Sequence, residues 1–184
     1  MMHLRQFWVP SGFGRIGLAV ARRAPGFQAR VLHHDLESRK QPAAEIEAEF
    51  VDLQVLPRES DFVTLHCPLT EQTRHLIGAR ELSLRGPHSF LIHTSRGPVA
   101  DQAALYLAFM SGVIHGAALD VTEEEPIPPA SLLLSLPKVV ITPHIASASH
   151  ATRRNMATMA AENLVAGLRG RPSPHWANPE VARK

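Results

Sequence analysis

Near the start of the chain, Gly12-Phe13-Gly14-Arg15-Ile16-Gly17 sets three glycines in G-x-G-x-x-G spacing, and Asp35 follows 18 residues after the last of them. Glycines at these intervals permit a tight turn, close approach of backbone to a ligand, and close packing of a helix on a strand. A helix starting near Arg15 would aim its N-terminal amides and the positive end of its dipole at a diphosphate. A carboxylate about 20 residues beyond the loop accepts hydrogen bonds from ribose hydroxyls. Glycine-rich turns also occur for purely structural reasons. Here a helical stretch, an apolar run ending at His34 and then Asp35 follow in the required order, which favours a dinucleotide-binding loop. A carboxylate at position 35 repels a 2′-phosphate and so favours NAD. Ser38, Arg39 and Lys40 follow closely and could hold that phosphate if the loop turned back, so NADP stays open. A glycine loop plus an acid also suits S-adenosylmethionine, a more distant reading.

The elements that must carry this loop are legible as alternation. Strand-like apolar runs cover residues 28–34, 62–66, 89–94, 114–120 and 139–142, and helix-compatible stretches cover 15–23, 43–49, 79–84 and 101–111. Asp101 suits an N-cap and Gly112 a helix terminus. Strands alternating with helices imply βαβ units with right-handed crossovers, hence an α/β, doubly wound parallel sheet of Rossmann type. The first strand reads poorly. Only Phe7-Trp8-Val9 is strand-like, because Pro10 removes a ladder donor just before Ser11 and the glycines. Beyond Pro143 one long helix spans residues 148–168, and a proline-rich, loop-like tail follows. That helix is either an arm leaving the sheet or a last helix packed on it. The expected organisation is an atypical segment 1–11, a dinucleotide-binding domain 12–147, and a C-terminal helical arm and tail 148–184.

Composition narrows the class. The 184 residues are 45% hydrophobic and 20% charged, which excludes a disordered or collagen-like chain. Lys and Arg number 19 against 17 acidic residues, so no basic surface for nucleic acid is expected. A single cysteine, Cys67, forbids an intrachain disulfide and suits a reducing cytoplasm. The first ten residues lack the apolar core of a signal peptide, and no apolar run approaches the roughly 18 residues that suggest a membrane span. His33 and His34 alternate on a strand, and no H-E-x-x-H or clustered Cys/His spacing occurs, so no metal is expected. Leu107, Met110 and Val113 read as core, or alternatively as a patch facing a partner.

Several ordered segments carry a resemblance: Gly12–Gly17, Ser60-Asp61-Phe62-Val63-Thr64-Leu65-His66-Cys67-Pro68-Leu69-Thr70, His93-Thr94-Ser95-Arg96-Gly97, Leu119–Pro126 and Thr142-Pro143-His144-Ile145. From Gly12 to about Glu180 the chain resembles the D-isomer-specific 2-hydroxyacid dehydrogenases, most closely the glyoxylate/hydroxypyruvate reductase branch. The resemblance implies a catalytic trio of Arg96, Glu125 and His144. Reducing a 2-keto acid leaves negative charge on the carbonyl oxygen, and a histidine titrating near neutrality suits the proton donor. A carboxylate on its other ring nitrogen fixes the tautomer, and an arginine fork anchors the substrate carboxylate. Without the resemblance, Arg96 would read as a loop ion pair, Glu125 as part of a solvated acidic run and His144 as a strand-end cap.

The same resemblance implies cofactor contacts at Arg15 and Ile16 beside the phosphates, at Cys67 and Pro68 on the adenosine side, and at Thr94, Asp120 and Ala146 around the nicotinamide. Ala146 stands where the family commonly has glycine. Family members also have a substrate domain largely ahead of the glycine loop and form homodimers. The expectation is therefore an NAD(P)-dependent reductase of a small 2-keto acid to the 2-hydroxy acid. The alternative is a non-catalytic cofactor-binding or protein-interaction module.

Overall fold

The computed structural model describes residues 6–10, 13–35 and 46–180, and the chain divides into two compact units, Met1–His144 and Ile145–Lys184. The first unit is built on a seven-stranded sheet. Its strands are β1 (Gln6–Pro10), β2 (Arg30–His34), β3 (Glu49–Phe50), β4 (Phe62–Leu65), β5 (Phe90–His93), β6 (Gly116–Leu119) and β7 (Val139–Ile141). Every pairing is parallel and the order is β3-β2-β1-β4-β5-β6-β7. The chain winds outward from β1 in one direction and then returns beside it as β4, so the order reverses between β1 and β4. In open α/β sheets, ligands bind at the strands' carboxyl ends beside such a reversal.

The inner strands are apolar because both faces are covered. Leu32, Val63, Leu65, Leu91 and Leu119 are buried in one core with Leu82 and Leu105. A smaller cluster gathers Phe13, Ala21, Ala24 and Val31 behind the glycine loop. Among the described residues, the helices of this unit are α1 (Arg15–Ala21), α2 (Leu56–Glu59), α3 (Ala79–Ser83) and α4 (Gln102–Met110). Asp101 caps α4, its carboxylate accepting from Ala104 N–H at 2.9 Å, and Gly112 follows in a left-handed conformation. Asp101→Ala is expected to cost about 1 kcal/mol in urea unfolding, the usual worth of such a cap. Leu107 and Met110 lie exposed on α4, while Val113 packs against the core.

Three expectations are corrected. β1 runs through Pro10, which pairs in register with His34 of β2. The proline is tolerated because pairing with β4 ends at Trp8, leaving Pro10 beyond the doubly paired part of the strand. The helix expected over 43–49 does not form in its described part. Glu47 takes a left-handed φ of 53°, and Glu49–Phe50 pair with Leu32 and His33 as an edge strand, while residues 43–45 lie outside the described ones. The helix expected over 15–23 stops at Ala21 and continues as a 3-10 turn, Ala24–Phe27. Gln28 at φ 57° ends that turn, so β2 starts at Arg30 and not at residue 28.

In the second unit, Ser149 caps α5 (His150–Leu168) through Thr152 N–H. Asn163 clamps the tail to this helix. Its amide donates to the His175 carbonyl and its oxygen accepts from His175 N–H, both at 3.0 Å. Among the described residues no helix is long and apolar enough to cross a membrane.

Candidate active site

All seven parallel strands turn their carboxyl ends to one side of the sheet, and the loops after six of them, β1, β2, β4, β5, β6 and β7, carry the site residues. After β1 comes the glycine loop. Gly12 lies outside the described residues, Gly14 is the N-cap of α1, and Gly17 is buried inside that helix. Arg15 and Ile16 are exposed at its first turn. Asp35, just past β2, accepts from Phe13 N–H at 2.8 Å and so ties the glycine loop to the neighbouring strand. His33 beneath it is buried and stacks on the Phe13 ring at 4.2 Å.

The ends of β4 and β5 line a cavity of about 520 Å3 that includes Ile16, His66, Cys67, Pro68, Thr94 and Arg96. His66 sits between two hydroxyls, with Nε2 2.9 Å from Thr64 Oγ1 and Nδ1 3.4 Å from Thr94 Oγ1. Burial, and secondarily His93 nearby, push its imidazole down to about 4, so it is neutral. His93 is buried under the next turn and shares a hydrogen bond between Nε2 and the Gly97 carbonyl at 3.2 Å. That turn carries Arg96, whose guanidinium donates to the Ser95 carbonyl at 2.7 Å. His66 and His93 were missed as site residues by sequence reasoning. The only signal was their place at the ends of apolar runs, inside the two segments that carry the resemblance.

Beyond β6 and β7 lies a second cavity of about 490 Å3, lined among others by Asp120, Thr122, Glu125, Ile127, Leu134 and His144. Buried Asp120 accepts a hydrogen bond from Thr142 Oγ1. His144 has a left-handed φ of 53°, uncommon for a residue with a side chain, and its N–H lies 3.0 Å from the carbonyls of both Asp120 and Thr142. This backbone aims the imidazole at Glu125, whose Oε2 is 2.9 Å from His144 Nδ1. The other carboxylate oxygen accepts from Thr122 N–H at 3.1 Å. The hydrogen bond with His144 holds the Glu125 carboxyl below its ordinary value against partial desolvation. The Thr122 amide and the charges of His144 and Arg96 act in the same direction. A carboxylate can only accept, so Nδ1 carries a proton and Nε2 is the atom left to gain or lose one.

The structure thus brings Glu125 and His144 into direct contact. Arg96 lines the neighbouring cavity with Thr94, Cys67 and Pro68, and its charge is felt at Glu125. Ala146 belongs to the second unit, in a turn closed by Ala148 N–H and the Ile145 carbonyl. No group of three or more His, Cys, Asp and Glu side chains that could hold a metal occurs among the described residues.

Residues 8–146 match the family described as D-isomer specific 2-hydroxyacid dehydrogenase, NAD binding domain. The chain belongs to this family. A glyoxylate reductase of Korarchaeum cryptofilum is 53% identical over 172 residues, covering 94% of this chain and 52% of that protein. Among solved structures, an NADPH-dependent glyoxylate/hydroxypyruvate reductase of Sinorhizobium meliloti, crystallised with NADP and malonate, superimposes with a TM-score of 0.81 at 36% identity. The match covers 90% of this chain and 51% of that one. A D-lactate dehydrogenase of Lactobacillus jensenii with NAD+ gives a TM-score of 0.82 at 26% identity, covering 92% of this chain and 54% of that one. The chain spans about half the length of the relatives it matches. Residues 8–146 of this chain are the part that matches the family's NAD-binding domain.

Proposed function

We propose that this chain is the cofactor-binding part of an NAD(P)-dependent reductase that converts a small 2-keto acid of the glyoxylate/hydroxypyruvate class to the D-2-hydroxy acid. The observation that carries the reading is the 2.9 Å bond between Glu125 and His144 at the carboxyl ends of adjacent strands, with His144 Nε2 left to handle a proton. In the proposed reaction His144 gives that proton to the carbonyl oxygen as the C=O double bond is reduced. Glu125 stabilises the imidazolium before transfer, which matches the catalytic task of a base oriented by a third group. Arg96 offers its guanidinium fork to the substrate carboxylate. A bound reduced nicotinamide supplies the hydride.

The residues present fit that cofactor. Gly14 and the first turn of α1 leave amides without intrahelical partners beside exposed Arg15 and Ile16. Thr94, Cys67 and Pro68 line an open cavity on the same side of the sheet, and the Ser95 hydroxyl is buried there without a partner among the described residues. Asp120 is assigned to the nicotinamide side, together with Ala146. Asp35 favours NAD over NADP by repelling a 2′-phosphate. Residues 12–147 form the dinucleotide-binding domain in this reading, and 148–184 belong with the substrate domain. The complete protein is taken to be a homodimer, as the family resemblance implies, and cytoplasmic, as the single cysteine suits.

Within these 184 residues the proposed substrate contacts come from Arg96 and His144 alone, so NADH binding with little or no turnover is expected. Titration followed by NADH fluorescence tests this, and Asp35→Ala is expected to weaken binding by about tenfold, or ~1.4 kcal/mol. Failure of the chain to bind NADH or NADPH at millimolar concentration would overturn the reading. Hydroxypyruvate-dependent NADH oxidation, abolished by His144→Ala, would instead show a working reductase and remove the non-catalytic module as an alternative.

A further inference from the structure

Glu125 does not hold its position against His144 unaided. Its Oε1 accepts from Thr122 N–H at 3.1 Å, and Thr122 Oγ1 donates to the Glu124 carbonyl at 2.6 Å, so Thr122 organises the whole acidic turn. Thr122 is pressed in turn against the segment that carries Arg96. A Cβ built on Gly97 would lie 1.8 Å from the Thr122 carbonyl oxygen and 2.6 Å from Glu123 N, so the two loops touch backbone to backbone.

Beside this contact is a reciprocal pair. Glu123 N–H donates to Gln102 Oε1 at 2.6 Å, and Gln102 N–H donates to Glu123 Oε1 at 2.9 Å. Gln102 is the first residue of α4, so its N–H is one of the amides a helix start leaves unpaired, and a carboxylate there is favourable. The arrangement is that of a capping box, closed here across 21 residues and not within one helical turn. His75 flanks it. Its Nε2 is 3.3 Å from Glu123 Oε1, its Nδ1 is 3.9 Å from Asp101 Oδ2, and its N–H donates to the Pro98 carbonyl at 2.8 Å. The Gln102–Glu123 pair joins the Arg96 side of the site to the Glu125 side directly, and His75 bridges them a second time, reaching Glu123 on one side and Pro98 and Asp101 on the other.

We propose that Gln102 is a positioning residue for the Glu125–His144 pair: through Glu123 and Thr122 it fixes the acidic turn to the start of α4, so that the loops bearing Arg96 and Glu125 move as one body. Its assignment to catalysis rests on the reductase reading above, while the geometry it claims can be tested without that reading. When the Gln102 oxygen is lost, Glu123 N–H loses its partner, the turn is released from one side, and the Thr122–Glu125–His144 chain of bonds loosens. Gln102 touches no proposed substrate or cofactor contact, so affinity for NADH stays unchanged.

The experiment is a carboxyl-carbon NMR titration of the 184-residue chain labelled at glutamate, comparing wild type, Gln102→Met and Gln102→Ala. Gln102→Met keeps the length of the side chain and removes the acceptor, which keeps the question answerable if Gln102→Ala does not fold. The expected result is a rise of the Glu125 midpoint toward that of the exposed glutamates. A general loss of structure would also collapse the amide shift dispersion of Phe62–Leu65 and Phe90–His93, so a Glu125 change with that dispersion intact separates positioning from destabilisation. A Glu125 midpoint unchanged in Gln102→Met, or one that moves only when that dispersion is lost, would overturn the proposal. Absence of NADH binding by the wild-type chain would sink the reductase reading and leave this titration as informative as before.

Discussion

Gly97→Ala is expected to destabilise the first unit by at least about 3 kcal/mol, beyond the usual range for a single added methyl. The new carbon would stand 1.8 Å from the Thr122 carbonyl oxygen, 2.1 Å from the Thr122 carbonyl carbon and 2.6 Å from Glu123 N. All three are backbone atoms, so no rotamer change relieves the clash, and one whole loop must leave the other. The loop after β5 cannot retreat freely, since His93 is hydrogen-bonded to the Gly97 carbonyl from below. The loop after β6 is pinned by Gln102. For a domain of this size the loss corresponds to a fall in melting temperature of roughly 10 °C. Gly26→Ala provides the control, because a Cβ there meets nothing within 4 Å. Urea unfolding of the two variants decides the matter. A Gly97→Ala protein within 1 kcal/mol of wild type would show that the loops are not in the contact described.

Stability is also expected to fall steeply as the pH drops from about 6.5 to about 4. The His66 imidazole has an ordinary value of 6.5 and is pushed down to about 4 in the fold, chiefly by burial. Between those limits the unfolded chain binds a proton that the folded chain refuses, so acid favours unfolding. The stabilisation is complete above the unfolded value and is lost progressively below it. Across that window His66 alone accounts for about 3 kcal/mol, a large part of the stability of an ordinary domain. His33 and His93 are depressed in the same direction, again chiefly by burial, and steepen the dependence. The Glu125 carboxyl, held below its ordinary value, adds a further loss at the acid end. Urea midpoints at pH 7.5, 5.5 and 4.5 measure the slope, and His66→Gln should flatten it. Equal midpoints at pH 7.5 and 4.5 would contradict the buried neutral state of these histidines.

Much of this molecule is legible in its residues. The runs around Val31-Leu32, Phe62–Leu65 and Ala117–Leu119 announce buried parallel strands, because strands covered on both faces need little else. β3 escapes that logic. It is two residues long, Glu49 and Phe50 are exposed, and its only reason to be a strand is the open edge of β2. Left-handed residues are similarly silent when they are not glycine. Gln28, Glu47, His75 and His144 all take positive φ with nothing in their type to demand it.

The pairing of Glu125 with His144 is a contact across 19 residues, and resemblance, not periodicity, singled out both members. The clamp between Gln102 and Glu123 had no such aid. Each residue reads locally as surface, Gln102 as a helix start and Glu123 as one of three consecutive acids, and only the sheet brings them together.

β7 is three residues long, pairs with β6 alone among the described strands, and leaves Val140 63% exposed. Edges of this kind have the lowest local opening free energy in a sheet, far below that of the strands inside it. The bond between Glu125 and His144 spans this last ladder, with its carboxylate mounted on the β6 side and its imidazole on the β7 side. Fraying of three rungs therefore separates the two groups while the core around Leu32, Val63 and Leu91 stays shut. Hydrogen exchange at Val139–Ile141 and the lifetime of the Glu125–His144 bond are then two readings of one motion, faster and cheaper than unfolding of the domain.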